Sequence, residues 1–172
     1  LVSVQRIAPD GEKRFWTGAP INATSYTVDR AGATLTVLCE GLATALALYA
    51  AVPLSRIVVA FNAGNLPRVA ARFPYRGIVA VAADNDHGTE ARLGRNPGLQ
   101  YAIEAANVLG CGVAVPEGIE GTDFCDLRNE RVAERLAVRV YGRRQESETA
   151  IRRAVYAEIA ACVMRAARFR AG

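Results

Sequence analysis

The chain has 172 residues, 51% of them hydrophobic and 22% charged, with a formal net charge of +4. That length and composition fit one soluble globular domain with room for a proper core, and no internal repeat or low-complexity linker interrupts it. No apolar run approaches the roughly 20 residues that span a bilayer, and the opening LVSVQRIAPDGEKRF lacks the layout of a signal peptide, so a cytoplasmic protein without membrane contact is expected.

Two further features of composition bear on function. The four cysteines, Cys39, Cys111, Cys125 and Cys162, form no C-x-x-C pair, which argues for buried free thiols rather than a zinc knuckle or redox motif. All but one of the 21 basic residues are arginine, the exception being Lys13. Arginine forks onto phosphate bidentately, which suits a nucleic-acid partner, although a preference for arginine codons explains the bias equally well. The chain begins on Leu1 rather than Met, so a piece of a longer polypeptide with neighbouring domains is expected.

In chain order, residues 2–7 and 12–16 read as two short strands around the turn Asp10-Gly11. TLTVLCEGLATALALYAAV places a strand at Thr34 to Cys39 directly before a helix from Leu42 to Ala51, closed by Pro53. RIVVAF, 56–61, is the next strand, followed by NAGN and a short helix with Asn65 as its cap and Pro67 in its first turn. GIVAVAAD, 77–84, is the third core strand. A loop then leads to a helix from Pro97 that ends at Gly110, and GVAVP, 112–116, is the fourth.

Residues 128–141 and 146–170 read as two helices, the second carrying Arg152, Arg153, Arg165, Arg168 and Arg170 and an apolar stripe Ile151, Val155, Ile159, Val163 at i+4 spacing. Apolar strands alternating with helices define an α/β fold with a compact, mainly parallel four-stranded sheet flanked by helices. The expected organisation is an N-terminal β-hairpin extension over 1–32, a core over 33–127 and a C-terminal helical extension over 128–172.

In open parallel sheets ligands bind outside the carboxyl ends of the strands. Here those ends carry acids: Glu40 after the first strand, Asp84 and Asp86 after the third, and Glu117, Glu120, Asp123 and Asp126 after the fourth. Residues at i and i+2 of an extended segment point the same way, so Asp84 and Asp86 can face one site. Carboxylates converging on one crevice repel unless some protonate or a cation binds. With hard oxygen donors, Mg²⁺ or Mn²⁺ is the expected ion.

Each residue also has a plainer reading. Glu40 sits where a helix dipole favours a carboxylate, Asp84 to His87 make an acceptable polar turn, and Asp123 and Asp126 can cap the helix expected near Arg128. His87 reads equally as a solvated loop histidine, and Asn62, Gly64 and Asn65 as a tight turn with a helix cap.

The steps VLCEG, AVAADND and GTDFCDL, in that order and with this fold pattern between them, resemble the Toprim domain shared by bacterial-type primases, topoisomerases and certain nucleases. The wording LCEGLATALAL, VVAFNAGNLPRVA, NPGLQYAIEAA and PEGIEGTDFCDL is most similar to the primase type of plasmids and phages, and VQRIAPDGEKRFWTG resembles the hairpin that precedes the fold in that branch. The resemblance implies Glu40 as general acid/base, Asp84, Asp86 and Asp123 as metal ligands, and Asp126, Asn62, Asn65 and His87 as further substrate or accessory positions.

It also implies Mg²⁺ or Mn²⁺ as cofactor, single-stranded DNA and ribonucleoside triphosphates as substrates, and a helicase or other domains of a parent protein as partners. In this chain Thr44 stands where cellular bacterial primases carry an acid, one helical turn after the glutamate, which puts the number of metals in question and favours the plasmid or phage branch. A Toprim nuclease, using the same acids with water as nucleophile, and a non-catalytic module that binds nucleic acid or a partner are the alternatives. None of the six tyrosines has a neighbourhood that marks a topoisomerase nucleophile, and no G-x-x-x-x-G-K-[ST] motor motif occurs.

Overall fold

The computed structural model describes residues 1–75, 77–141 and 147–169. β1 (Gln5–Ile7) and β2 (Lys13–Phe15) form the N-terminal antiparallel hairpin, with Arg6 opposite Arg14. β3 (Tyr26–Val28), β4 (Leu35–Cys39), β5 (Ser55–Val59), β6 (Ile78–Ala82) and β7 (Val113–Ala114) form one sheet in the order β3-β5-β4-β6-β7. All its neighbours run parallel except β3, which lies antiparallel on β5. The helices are α1 (Leu42–Ala51), α2 (Leu66–Arg72), α3 (His87–Leu93), α4 (Pro97–Leu109), α5 (Phe124–Tyr141) and α6 (Glu148–Arg168).

The period-2 alternation of the strands divides the core in two. Leu35, Val37 and Cys39 of β4 face α1, α5 and α6, and Leu38 faces α2 and α4, where Leu66, Val69, Ala102 and Ala105 complete a second buried cluster. Helices on both faces explain why β4, β5 and β6 read as continuous apolar runs. The i+4 stripe of α6 is the part that packs: Ile151, Val155, Ile159 and Val163 are all buried, the last three in the first cluster, while Arg152, Arg153, Arg165 and Arg168 stay exposed. Arg170 lies outside the described residues.

The mainly parallel α/β sheet, the hairpin and the C-terminal helices thus stand as the sequence implies, with four differences. The sheet has a fifth strand, β3, whose three residues are too few to show alternation. The segment after Asp84 is not only loop, because α3 forms at His87 and closes on Gly94 in the left-handed conformation. α5 starts at Phe124, four residues before the expected Arg128, since the fully buried Phe124 anchors its first turn to the core. Asn65 precedes α2 without capping it through its side chain; Asn62 instead accepts from Asn65 N as cap of the 3-10 turn Ala63–Asn65.

Candidate active site

β4 and β6 are hydrogen-bonded neighbours, so the residues just past their carboxyl ends arrive side by side: Glu40 one residue after β4, and Asp84 two residues after β6. The backbone that presents Glu40 is held from β5. Ala60 N donates to Cys39 O at 2.9 Å and Phe61 N to Glu40 O at 2.8 Å. Phe61 does this with φ +73°, a left-handed conformation costly for a bulky residue, and its ring is fixed edge-on against Phe15 of the hairpin at 5.5 Å.

Asp86 is anchored on the first turn of α4. Gly98 N donates to Asp86 Oδ2 at 2.9 Å, and Asn96, the side-chain cap of α4, accepts from both Asp86 N and Leu99 N. The close approach requires glycine, because a Cβ at Gly98 would overlap the Asp84 carbonyl oxygen. Asp123 is fixed twice. Its Oδ1 accepts from Cys125 N and Asp126 N at the start of α5, and its Oδ2 accepts from the buried Thr44 hydroxyl at 3.0 Å. Thr44 is fully buried in the first turn of α1, so it supplies a neutral donor where a carboxylate would add repulsion.

The carboxylates feel one another strongly. Burial pushes Asp84 up to about 8 from an ordinary 3.8, with the charges of Glu40, Asp123 and Asp86 adding to the rise and Lys13 opposing it. Glu40 is raised by burial and by Asp86, opposed by Lys13 and the Ala63 amide, with Asp123 adding a further rise. Asp84 Oδ1 is buried with no hydrogen-bond partner. Cys39 beneath them is fully buried, and burial followed by the charges of Asp84, Asp123 and Glu40 holds its thiol well above the usual range. It is a packing residue; of the other free thiols Cys111 is buried, whereas Cys125 and Cys162 are only half-buried.

Lys13 is the residue that motif reading passed over. It lies in β2, on the strand face shared with Phe15, and a Cβ on Gly41 would stand 3.8 Å from its Nζ, so the ammonium hangs over the Glu40-Gly41 step. Among the described residues it forms no ion pair within 4.0 Å, and it acts on the acids as a nearby free cation. Its status as the sole lysine was the one available signal.

The remaining candidates are placed otherwise. Asp126 Oδ2 accepts from Thr122 N and Asp123 N, shaping the loop that carries Asp123. Asn65 is buried; its amide donates to Ile21 O, Thr24 O and Ala60 O and its Oδ1 accepts from Ala23 N, so the side chain is consumed in stapling the β2–β3 connection to β5. His87 is exposed at the start of α3, with Nδ1 3.0 Å from Asn85 O.

Glu40, Asp84, Asp86 and Asp123 offer only hard oxygen donors, and a buried carboxylate oxygen without a partner is what a divalent cation would satisfy. The residues fit Mg²⁺ or Mn²⁺ in chemistry and charge. Among the described residues, however, no three His, Cys, Asp or Glu side chains are gathered into a finished metal-binding group, so the acids form an open cluster that a cation would have to draw together.

Carboxylates standing past the carboxyl ends of adjacent parallel strands, with helices on both faces of the sheet, fit a Toprim domain, and a Toprim domain profile matches residues 35–134. The chain belongs to the Toprim family. It is also similar to two Escherichia coli proteins, each a DNA primase TraC: 35% identical over 116 residues to one, covering 63% of this chain and 11% of that protein, and 34% identical over 116 residues to the other, covering 63% and 8%. The aligned segment therefore spans about a tenth of either relative. No solved structure matches the chain.

Proposed function

We propose that this chain is the metal-dependent catalytic domain of a DNA primase, making RNA primers by nucleotidyl transfer on single-stranded DNA as part of a larger primase or primase-helicase. Membership of the Toprim family and the likeness to DNA primase TraC support this reading. The observation that carries it is Asp84 Oδ1, buried and without a hydrogen-bond partner, with Glu40, Asp123 and Asp86 near enough for their charges to raise its proton affinity. Within it, residues 33–127 are the catalytic core and the flanking segments are extensions.

Asp84, Asp86 and Asp123 would hold Mg²⁺ or Mn²⁺. When bound, the ion supplies electrostatic stabilisation of the negative charge on the transferring phosphate and the departing pyrophosphate. Glu40, with its proton affinity raised by burial and neighbouring acids, takes the proton of the attacking 3′ hydroxyl. Asp123 is kept in place by Thr44 and the start of α5, Asp86 by Gly98 and Asn96, and the Lys13 ammonium offers charge to a polyphosphate.

The test is Mn²⁺ titration by calorimetry of the wild type beside Asp84→Asn/Asp86→Asn, followed by ribonucleotide primer synthesis on single-stranded DNA. Saturable binding lost in the double variant, with metal-dependent primers made by the wild type, is expected. Glu40→Gln should lose primer synthesis by at least about a hundredfold while retaining Mn²⁺ affinity and fold. Strand cleavage in place of primers would identify a nuclease, and absence of specific Mn²⁺ binding a non-catalytic module.

A further inference from the structure

The hairpin has two faces with different chemistry. In the register of β1 and β2, Gln5 lies opposite Phe15 and Ile7 opposite Lys13; these point inward, where Phe15 meets Phe61 and Lys13 overhangs the acids. The intervening pair, Arg6 and Arg14, points to the other side. Like charges directly opposite on a two-stranded ribbon destabilise it, so the pairing has no folding rationale. Beside them, Trp16, the only tryptophan of the chain, is 73% exposed, its backbone N donating to Val4 O at 3.0 Å. Arg6, Arg14 and Trp16 line an open groove of about 550 Å³ together with Val4, Thr17 and the adjoining Gln5 and Phe15.

From this juxtaposition of two opposed arginines and an exposed indole on the outer face of a hairpin whose inner face caps the acids, we propose that the hairpin is a single-stranded nucleic-acid platform. The arginines contact the phosphate backbone and Trp16 stacks on a base. Guanidinium groups and an aromatic face are the two elements that sequence-tolerant single-strand binding requires. An exposed aromatic among cations has no comparable use on a duplex, whose bases are already stacked. Glu12 is the one acid on this face: its carboxylate accepts from Arg14 at 2.8–2.9 Å, an exposed pair that screens weakly and that a phosphate can displace. Asp10, in the turn, accepts from Glu12 N. The inference rests on the proposed action on single strands, and adds the surface that would lead a strand past Lys13 to the carboxylates.

The indole reports its own occupancy. Titration of the domain with a short oligothymidylate, in EDTA, should quench Trp16 fluorescence saturably, more strongly for single strand than for duplex of equal length. Arg6→Ala/Arg14→Ala should weaken binding roughly tenfold or more and flatten its salt dependence. Trp16→Ala, read by anisotropy of a labelled oligonucleotide, should lose roughly tenfold, and Trp16→Phe should restore part of it, which a merely structural role would not do. Glu12→Gln should tighten binding. Circular dichroism checks that each variant is folded.

The proposal is overturned if no oligonucleotide perturbs Trp16, if duplex binds as well as single strand, or if the arginine double variant binds like wild type. Intact DNA binding without primer synthesis would refute the primase reading while leaving this surface established.

Discussion

Replacing Asp84 by Asn should stabilise the metal-free domain, and increasingly so as pH rises. Asp84 is pushed up to about 8 from 3.8, so between those values the folded state holds a proton that the unfolded chain has released. With more protons bound in the native state, stability falls as pH rises through this window and levels off above it. Each unit is worth about 1.4 kcal/mol, which gives an upper bound of about 4 kcal/mol at pH 7 and about 5 at pH 8.

Burial is the largest cause of that shift and the charges of neighbouring acids add to it, so removing this charge should recover roughly half of the bound, about 2–3 kcal/mol near pH 8. For a chain of this size that is a rise in Tm of roughly 5–10 °C. Thermal unfolding in EDTA at about pH 5 and about pH 8 reads it: wild type should lose stability between the two, and the gap to Asp84→Asn should open at the higher pH. Added Mn²⁺ should reverse the ranking by stabilising wild type alone. A wild-type Tm that does not fall with pH, together with a variant no more stable at pH 8 than at pH 5 relative to it, would refute the buried-charge reasoning.

Lys13→Ala removes the cation that opposes the acids, so Mn²⁺ should bind roughly two- to fivefold tighter in calorimetry while the KM for ribonucleoside triphosphate rises; weaker Mn²⁺ binding would place the ammonium elsewhere. Thr44→Val deletes the hydroxyl donor to Asp123 Oδ2 inside the core, and denaturant unfolding should show a loss of about 1.5–3 kcal/mol. Gly98→Ala forces a methyl group into the Asp84 carbonyl, and should cost about 2 kcal/mol or more in the same assay and weaken Mn²⁺ binding, since the N–H held by Asp86 moves with it.

Much of this was legible before any coordinates. The apolar runs of β4, β5 and β6 announce buried parallel strands because both faces of the sheet are covered, and the i+4 stripe of α6 names the very residues that enter the core. The order of Glu40, Asp84 and Asp123 along the chain locates the acids because strand ends in a parallel sheet share one edge. β3 and α3 escaped because three or seven residues carry too little periodicity, and Asn65 misled because a cap and a buried staple use the same amide.

Sequence alone therefore determined the fold class, the family resemblance and the strand ends at which the acids stand, since those follow from local pattern and strand direction. Tertiary structure decided the rest: that one oxygen of Asp84 is buried and bare, that Thr44 reaches Asp123 across 79 positions of chain, and that the only lysine and the only tryptophan stand on opposite sides of one hairpin. Burial and charge coupling depend on what the rest of the chain brings within a few ångströms, and that is a property of the packed molecule, which no window of sequence contains.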